Sequence, residues 1–257
     1  MNPMRRWNIA AGNFFFRYRN ALFPACFVLM PLIGRPTMVG GPWLDRSLTI
    51  VGMLVALLGQ LMRLVTIGYE YIERGGRQGK VYASHLVQGG VYALTRNPMY
   101  VGNALIAVGM TMVAGAPQIY LGVLPFFLFI YQAIVAAEEV YLRGQFGTAY
   151  EQYCAAVNRW WPSLRQIPKA LGGRRYDWRS AVRKELSTAT GLLTGFVLLP
   201  VWRTFFLEGI AAAKAQLPRA LLLELVVLSL YGALVYLKQQ RRFFYISPHQ
   251  QGTTVKP

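Results

Sequence analysis

Long uncharged stretches alternate along this chain with short segments rich in arginine. From Met99 to Ala137 there is no charged residue, and the run closes on the adjacent pair Glu138 and Glu139. Apolar positions in these stretches are contiguous rather than alternating, which predicts helices and argues against strands. A bilayer core about 30 Å thick needs roughly 20 apolar residues per helix. Six segments meet that need in whole or part, at approximately 21–40, 47–68, 99–115, 118–137, 187–206 and 219–237. The two flanking Ala116 and Pro117 read as a tight hairpin, because proline fits a turn and cannot continue a helix. The fold class is therefore all-α, a polytopic membrane bundle of about six transmembrane helices.

The polar segments divide this pattern into four regions. Residues 1–46 hold an amphipathic lead-in, with "NFFFRYRN", and the first span. Residues 47–162 form a core, 163–186 a basic connector, and 187–257 an additional pair of spans with a tail. Within the core, glycines 75, 76, 79, 89 and 90 mark turns and close backbone approaches in a polar stretch over 69–98. After Glu138, the residues Phe146, Tyr150, Tyr153 and Val157 recur on one helical face. Gly147 interrupts that helix at a cost of about 1 kcal/mol relative to alanine, which predicts a bend or a close contact. Trp160 and Trp161 are placed to anchor at a membrane interface.

Charge adds an orientation. The 257 residues carry 27 Lys and Arg against 10 Asp and Glu, a net +17, with 54% hydrophobic residues. Mean hydropathy is +0.32. With six spans, the segments holding Arg5, Arg6, Arg17, Arg19, Arg74, Arg77, Lys80, Arg96, the cluster from Arg143 to Lys184, and Lys238, Arg241, Arg242 and Lys256 all fall on one side. By the positive-inside rule that side and both termini are cytoplasmic, as in a bacterial inner-membrane protein. Topology and attraction to anionic headgroups account for the charge, and no basic patch is interleaved with stacking aromatics as a nucleic-acid site requires. The partners expected are the bilayer and an apolar or lipidic substrate, with no nucleic acid and no metal. Cys26 lies in the first span and Cys154 in a polar segment, so they do not pair, and two cysteines with His85 and His249 give no metal-ligand spacing. The basic N-terminus lacks a small-residue cleavage site and reads as a retained span.

The chain has no GxSxG elbow, phosphate-binding loop, HExxH or dinucleotide fingerprint. What remains is polar residues at the edge of the apolar hairpin, where ionisable groups are costly and thus functional candidates. Glu138 and Glu139 differ in direction by about 100°, so at most one is expected to point squarely into the bundle. Both could equally lie in the interface, as could Tyr92 and Tyr100. Arg96-Asn97-Pro98 alone reads as a polar cap with proline at the first helical position.

The order of these pieces is more specific. "LVQGGVYALTRNPMYVGN", an apolar hairpin, and "EEVYLRGQFGTAYEQYCAAVNRWWP" together resemble the isoprenylcysteine carboxyl methyltransferase family and the related phospholipid methyltransferases. The likeness covers about residues 47–162. It implies an S-adenosylmethionine-dependent methyltransferase with a cytoplasmic cofactor cleft formed by the polar segments flanking the hairpin. By position, the cofactor contacts implied are Ser84, His85, Leu86, Val87, Tyr92, Asn97, Pro98, Met99, Tyr100 and Glu138, with Glu138 and Tyr100 catalytic. The chemistry of the residues suits this. A carboxylate pairs with a cationic or hydroxyl-bearing part of the cofactor, backbone N–H groups at Asn97 to Tyr100 meet its carboxylate, and tyrosine faces meet adenine or sulfonium. Displacement at a sulfonium methyl needs positioning and electrostatics more than a proton shuttle, so the lack of a Ser-His-Asp set does not exclude an enzyme.

Two positions depart from the pattern. The family histidine is Asn97, which does not titrate near neutrality. An arginine that prenylcysteine enzymes carry one turn before the glutamate is Ile134, which cannot pair with a substrate carboxylate and leaves O-, N- and S-methylation open. His85 is either a cofactor-side residue or a loop histidine. The alternatives are a membrane sterol-type reductase using NADPH, which shares a related C-terminal pattern, and a non-catalytic scaffold of the same fold. A transporter lacks the paired broken helices expected of one.

Overall fold

The apolar runs fold into long helices in the computed structural model, which describes residues 3–70 and 81–240. Gly75, Gly76, Gly79, Arg74, Arg77 and Lys80 lie outside the described residues, as do Arg241, Arg242, His249 and Lys256. Six long helices run in sequence: α1 (Pro3–Ile33), α2 (Pro42–Tyr69), α3 (Pro98–Ala114), α4 (Leu124–Ala156), α6 (Trp178–Leu207) and α7 (Ile210–Gln239), with a short α5 (Ile167–Leu171) before the last pair. There is no strand among the described residues. The protein is an all-α integral membrane protein. Four helices are long and apolar enough to cross a bilayer alone, namely α2, Ile119–Ala156, α6 and α7. The apolar parts Ala21–Ile33 and Pro98–Ala114 are shorter.

Two boundaries differ from the sequence expectation. The first apolar run ends as helix at Ile33 rather than near residue 40, where Gly34 and Pro36 follow and the chain turns back. Its lead-in is no separate element, for α1 is continuous from Pro3 and absorbs Arg17 and Arg19; Arg19 lies 4.1 Å over the ring of Phe16. The helix after the hairpin continues its span directly, running from a π-type turn at Ile119–Val123 into α4. The expected bend is present at Gly147, whose φ of 51° and ψ of −126° break the helix. The turn at Ala116 also holds, with Gly115 in the left-handed conformation ending α3.

Glycine sets how closely α2 and α3 pack. They run antiparallel, with Gly52 against Gly109 and Gly59 against Gly102. A methyl group on Gly59 would come within 2.5 Å of the Gly102 carbonyl oxygen. Small residues let backbones approach in this way where lipid removes the hydrophobic drive between helices. α1 covers the other face, packing along α4 with Phe16 against Ile130 and Ile134.

The last pair of helices is bound into the bundle by charge. Arg203 of α6 donates to both oxygens of Asp45 on α2, at 2.6 and 2.7 Å, and to Thr49 at 2.6 Å. At the other end Glu185 of α6 accepts from Arg63 of α2 at 2.6 and 2.8 Å and from Gln60 at 3.1 Å. Asp45 and Arg63 are eighteen positions apart, as are Glu185 and Arg203. Eighteen residues are five helical turns and about 27 Å, so both pairs lie on one face, one near each edge of a hydrocarbon core. α7 packs on α6 and turns Leu221, Leu222, Leu223 and Leu225 outward, the surface expected toward lipid.

Candidate functional site

The arginine-rich end of the bundle gathers the two polar segments that flank the hairpin. Pro98 opens α3 with its fixed φ and missing N–H, so the preceding residues enter at a sharp angle. Those residues are stitched to the chain beyond α4. The Arg96 amide donates to the Asn158 carbonyl at 2.9 Å, and the Ser163 amide to the Leu94 carbonyl at 2.9 Å. The Arg159 carbonyl accepts from Asn97 Nδ2 at 3.0 Å and from the Thr95 hydroxyl at 3.2 Å. The Tyr153 hydroxyl donates to the Tyr92 carbonyl at 2.7 Å. The bend at Gly147 turns the end of α4, with Tyr150 and Tyr153, onto this segment.

Both adjacent glutamates are engaged, in different directions. Glu138 accepts a hydrogen bond from the Tyr100 hydroxyl at 2.6 Å, bridging α4 and α3. Glu139 meets two arginines: Arg159 Nε donates to its Oε1 at 2.8 Å, Arg159 Nη2 reaches Oε2, and Arg96 Nη2 lies 3.5 Å from Oε1. The hydrogen bonds that Arg159 donates to Glu139 hold its guanidinium above its ordinary pKa. The 100° step between neighbours is enough for one carboxylate to face α3 while the other faces the returning chain.

Aromatic rings from α1 and α4 pack beside Tyr100. The Tyr100 ring is 5.2 Å from that of Tyr131, and Phe23 of α1 stacks on Tyr131 at 4.8 Å. Val81 packs against the Phe16–Ile130–Ile134 cluster together with Tyr100, which brings the start of the 81–88 segment to the same place. Ile134 is fully buried there, so an apolar contact occupies the position where prenylcysteine enzymes carry arginine.

Of the residues picked out by sequence, Tyr92, Asn97, Pro98, Met99, Tyr100 and Glu138 come together at this mouth. Tyr92, Pro98 and Met99 are buried. The Asn97 side chain does not cap α3, being turned to Arg159, so no side chain covers the first amides of that helix. Ser84 and His85 are exposed and bond to each other, with Oγ and Nδ1 3.1 Å apart, while Leu86 and Val87 are half-buried. Sequence reasoning missed the Glu139–Arg96–Arg159 cluster, because Arg159 lies twenty residues from its partner and across a bend. It also missed Arg63, for which a signal existed: a cation inside an otherwise apolar run.

The family model for phospholipid methyltransferases matches residues 48–149, from the second turn of α2 through the whole hairpin to just past Gly147. The chain belongs to the phospholipid methyltransferase family. An uncharacterised protein of Haemophilus influenzae is 40% identical over 62 residues, which are 24% of this chain and 98% of that protein. No solved structure matches. Membership makes this a membrane protein of a methyltransferase family and favours methyl transfer over the reductase reading. The match ends before α6 and α7, and includes Arg63, Asn103, Tyr131, Tyr100 and both glutamates.

Proposed function

We propose that the protein is an integral-membrane methyltransferase using S-adenosylmethionine and acting on a lipidic or otherwise apolar acceptor. The observation that carries this reading is the hydrogen-bonded Tyr100–Glu138 pair, flanked by the Tyr131 ring at the mouth of the family-matched hairpin. The donor set suits the cofactor. A carboxylate is available for a cation, tyrosine faces for a sulfonium or a purine, and the uncapped start of α3 for a carboxylate. When bound, S-adenosylmethionine supplies a methyl group activated by a positive sulfur.

The residues of the chain would divide the remaining work. Glu138 Oε1 is held by Tyr100, which fixes the carboxylate plane and leaves Oε2 to face a cationic or proton-bearing group of the ligand. An amine, thiol or hydroxyl acceptor loses a proton on methylation, and in this reading Oε2 of Glu138 receives it. Phe16, Phe23 and Tyr131 exclude water, which strengthens electrostatic contacts in the site. Tyr92 and Met99 shape the wall on the α3 side, with Ser84, His85, Leu86 and Val87 on the neighbouring segment. The buried Ile134 offers no partner for an anionic acceptor, which favours a neutral or basic nucleophile.

The test is calorimetric titration of detergent-purified protein with S-adenosylhomocysteine, beside Glu138→Gln and an NADPH control. We expect saturable binding by the wild type and at least tenfold weaker binding by the variant, about the loss of one charged hydrogen bond. A folded wild type that binds no S-adenosylhomocysteine refutes the proposal, and binding of NADPH alone makes the protein a reductase.

A further inference from the structure

Arg63 is a buried cation with more than one partner. Its Nε and Nη2 are taken by Glu185 of α6, while Nη1 donates to Asn103 Oδ1 on α3. Arg63, Glu185 and Gln60 are all buried, Glu185 to 1% exposure, so this is a desolvated contact rather than a surface pair. Asn103, its oxygen held by Arg63, lies one turn from Tyr100 on α3 and beside Tyr131 of α4, near enough for its amide to act on that hydroxyl. Tyr131 packs on Tyr100, and Tyr100 holds Glu138. A series of neighbouring polar and aromatic side chains thus runs from a carboxylate on α6, outside the family match, to the carboxylate at the mouth.

We propose that Glu185 is a positioning residue for the Tyr100–Glu138 pair, which makes the last two helices a working part of the site rather than an anchor. The proposal rests on the functional reading above. Glutamate at 185 presents two acceptors to one guanidinium edge, and this fixes the direction of the remaining Nη1 toward Asn103. Without that grip Arg63 has four other rotatable torsions with which to seek partners, and Asn103 loses its orientation. The carboxamide of asparagine can be flipped at little cost, so only a fixed donor on its oxygen keeps the nitrogen aimed at Tyr131.

The far end of the same two helices supplies a matched control. Asp45 pairs with Arg203 through both carboxylate oxygens on the single nitrogen Nη2, a charged α2–α6 contact like the first, and it lies five turns from Arg63. Asp45→Asn and Glu185→Gln each remove one α2–α6 ion pair, so a role confined to docking gives the two variants the same consequences. Affinity for S-adenosylhomocysteine is measured by calorimetry on the full-length protein in detergent, with melting temperature recorded for each sample. Glu185→Gln is expected to weaken binding about tenfold, within the range for substitutions along a coupled network, while Asp45→Asn stays within about twofold of wild type. Asn103→Leu, which leaves the ion pair intact and cuts the series one step later, is expected to match Glu185→Gln. Equal affinities for Glu185→Gln and Asp45→Asn overturn the proposal. If Glu185→Gln does not fold, wild-type affinity in Asn103→Leu overturns it alone. Absence of binding by the wild type refutes the functional reading instead, so the two failures are told apart.

Discussion

Replacing Glu139 with alanine removes the only carboxylate described between Arg96 and Arg159 and leaves two cations facing each other. The side chains of Glu139, Arg96 and Arg159 are 11%, 14% and 30% exposed, so the cluster is largely but not wholly desolvated. Breaking a buried ion pair by deleting one partner costs about 3–5 kcal/mol. The partial exposure of Arg159 moves this case to the lower end, about 3 kcal/mol. For a chain of this size each kcal/mol shifts the melting temperature by about 2–4 °C, which gives a fall of about 6–12 °C. The assay is thermal unfolding in detergent with a thiol-reactive fluorophore, because Cys26 is buried and free and becomes reactive as the bundle opens. The paired measurement is Glu138→Gln, one residue away, which removes the charge but keeps an acceptor for the Tyr100 hydroxyl and is expected to melt within about 3 °C of wild type. A Glu139→Ala protein that melts with the wild type refutes the view that the arginine cluster holds the mouth together, and shows that the bonds from the Asn97 and Thr95 side chains to the Arg159 carbonyl and from the Ser163 amide to the Leu94 carbonyl suffice.

Two further substitutions test the frame around the site. Gly59→Leu drives a side chain into the Gly102 carbonyl and is expected to separate α2 from α3, seen as lost folded yield and a lower melting temperature, whereas the outward-facing Leu58→Ala changes little. Gly147→Ala has open space for its methyl group, so its cost is confined to the backbone at φ 51°, about 1–3 kcal/mol, again read as a melting shift.

What was legible in the sequence was whatever depends on near neighbours. Contiguous apolar residues marked the helices, Ala116-Pro117 marked the turn and Gly147 the bend, since each is a local preference of the chain. The mouth was found through a pattern of spaced motifs, and Tyr100 and Glu138 do meet. The extent of α1 was not legible, because Arg17 and Arg19 read as the edge of a span, whereas packing against α4 and the ring of Phe16 lets the helix carry them. The ion pairs were hidden for another reason. Asp45 and Arg203, or Arg63 and Glu185, are more than a hundred residues apart, and only the folded bundle sets them level.

Those two pairs also carry information about direction. Reading away from the arginine-rich end, α2 offers a cation and then an anion, and α6 offers an anion and then a cation. If the final hairpin entered the bilayer upside down, Asp45 would meet Glu185 and Arg63 would meet Arg203 at both levels, in a medium where like charges cannot be screened by water. A shift of α6 by one turn would strand all four. The hairpin therefore has one docked state, and an inverted copy remains an undocked stretch of membrane helix, open to proteolysis. The bundle carries a built-in check on its own insertion, one that acts after the loop charges have done their sorting.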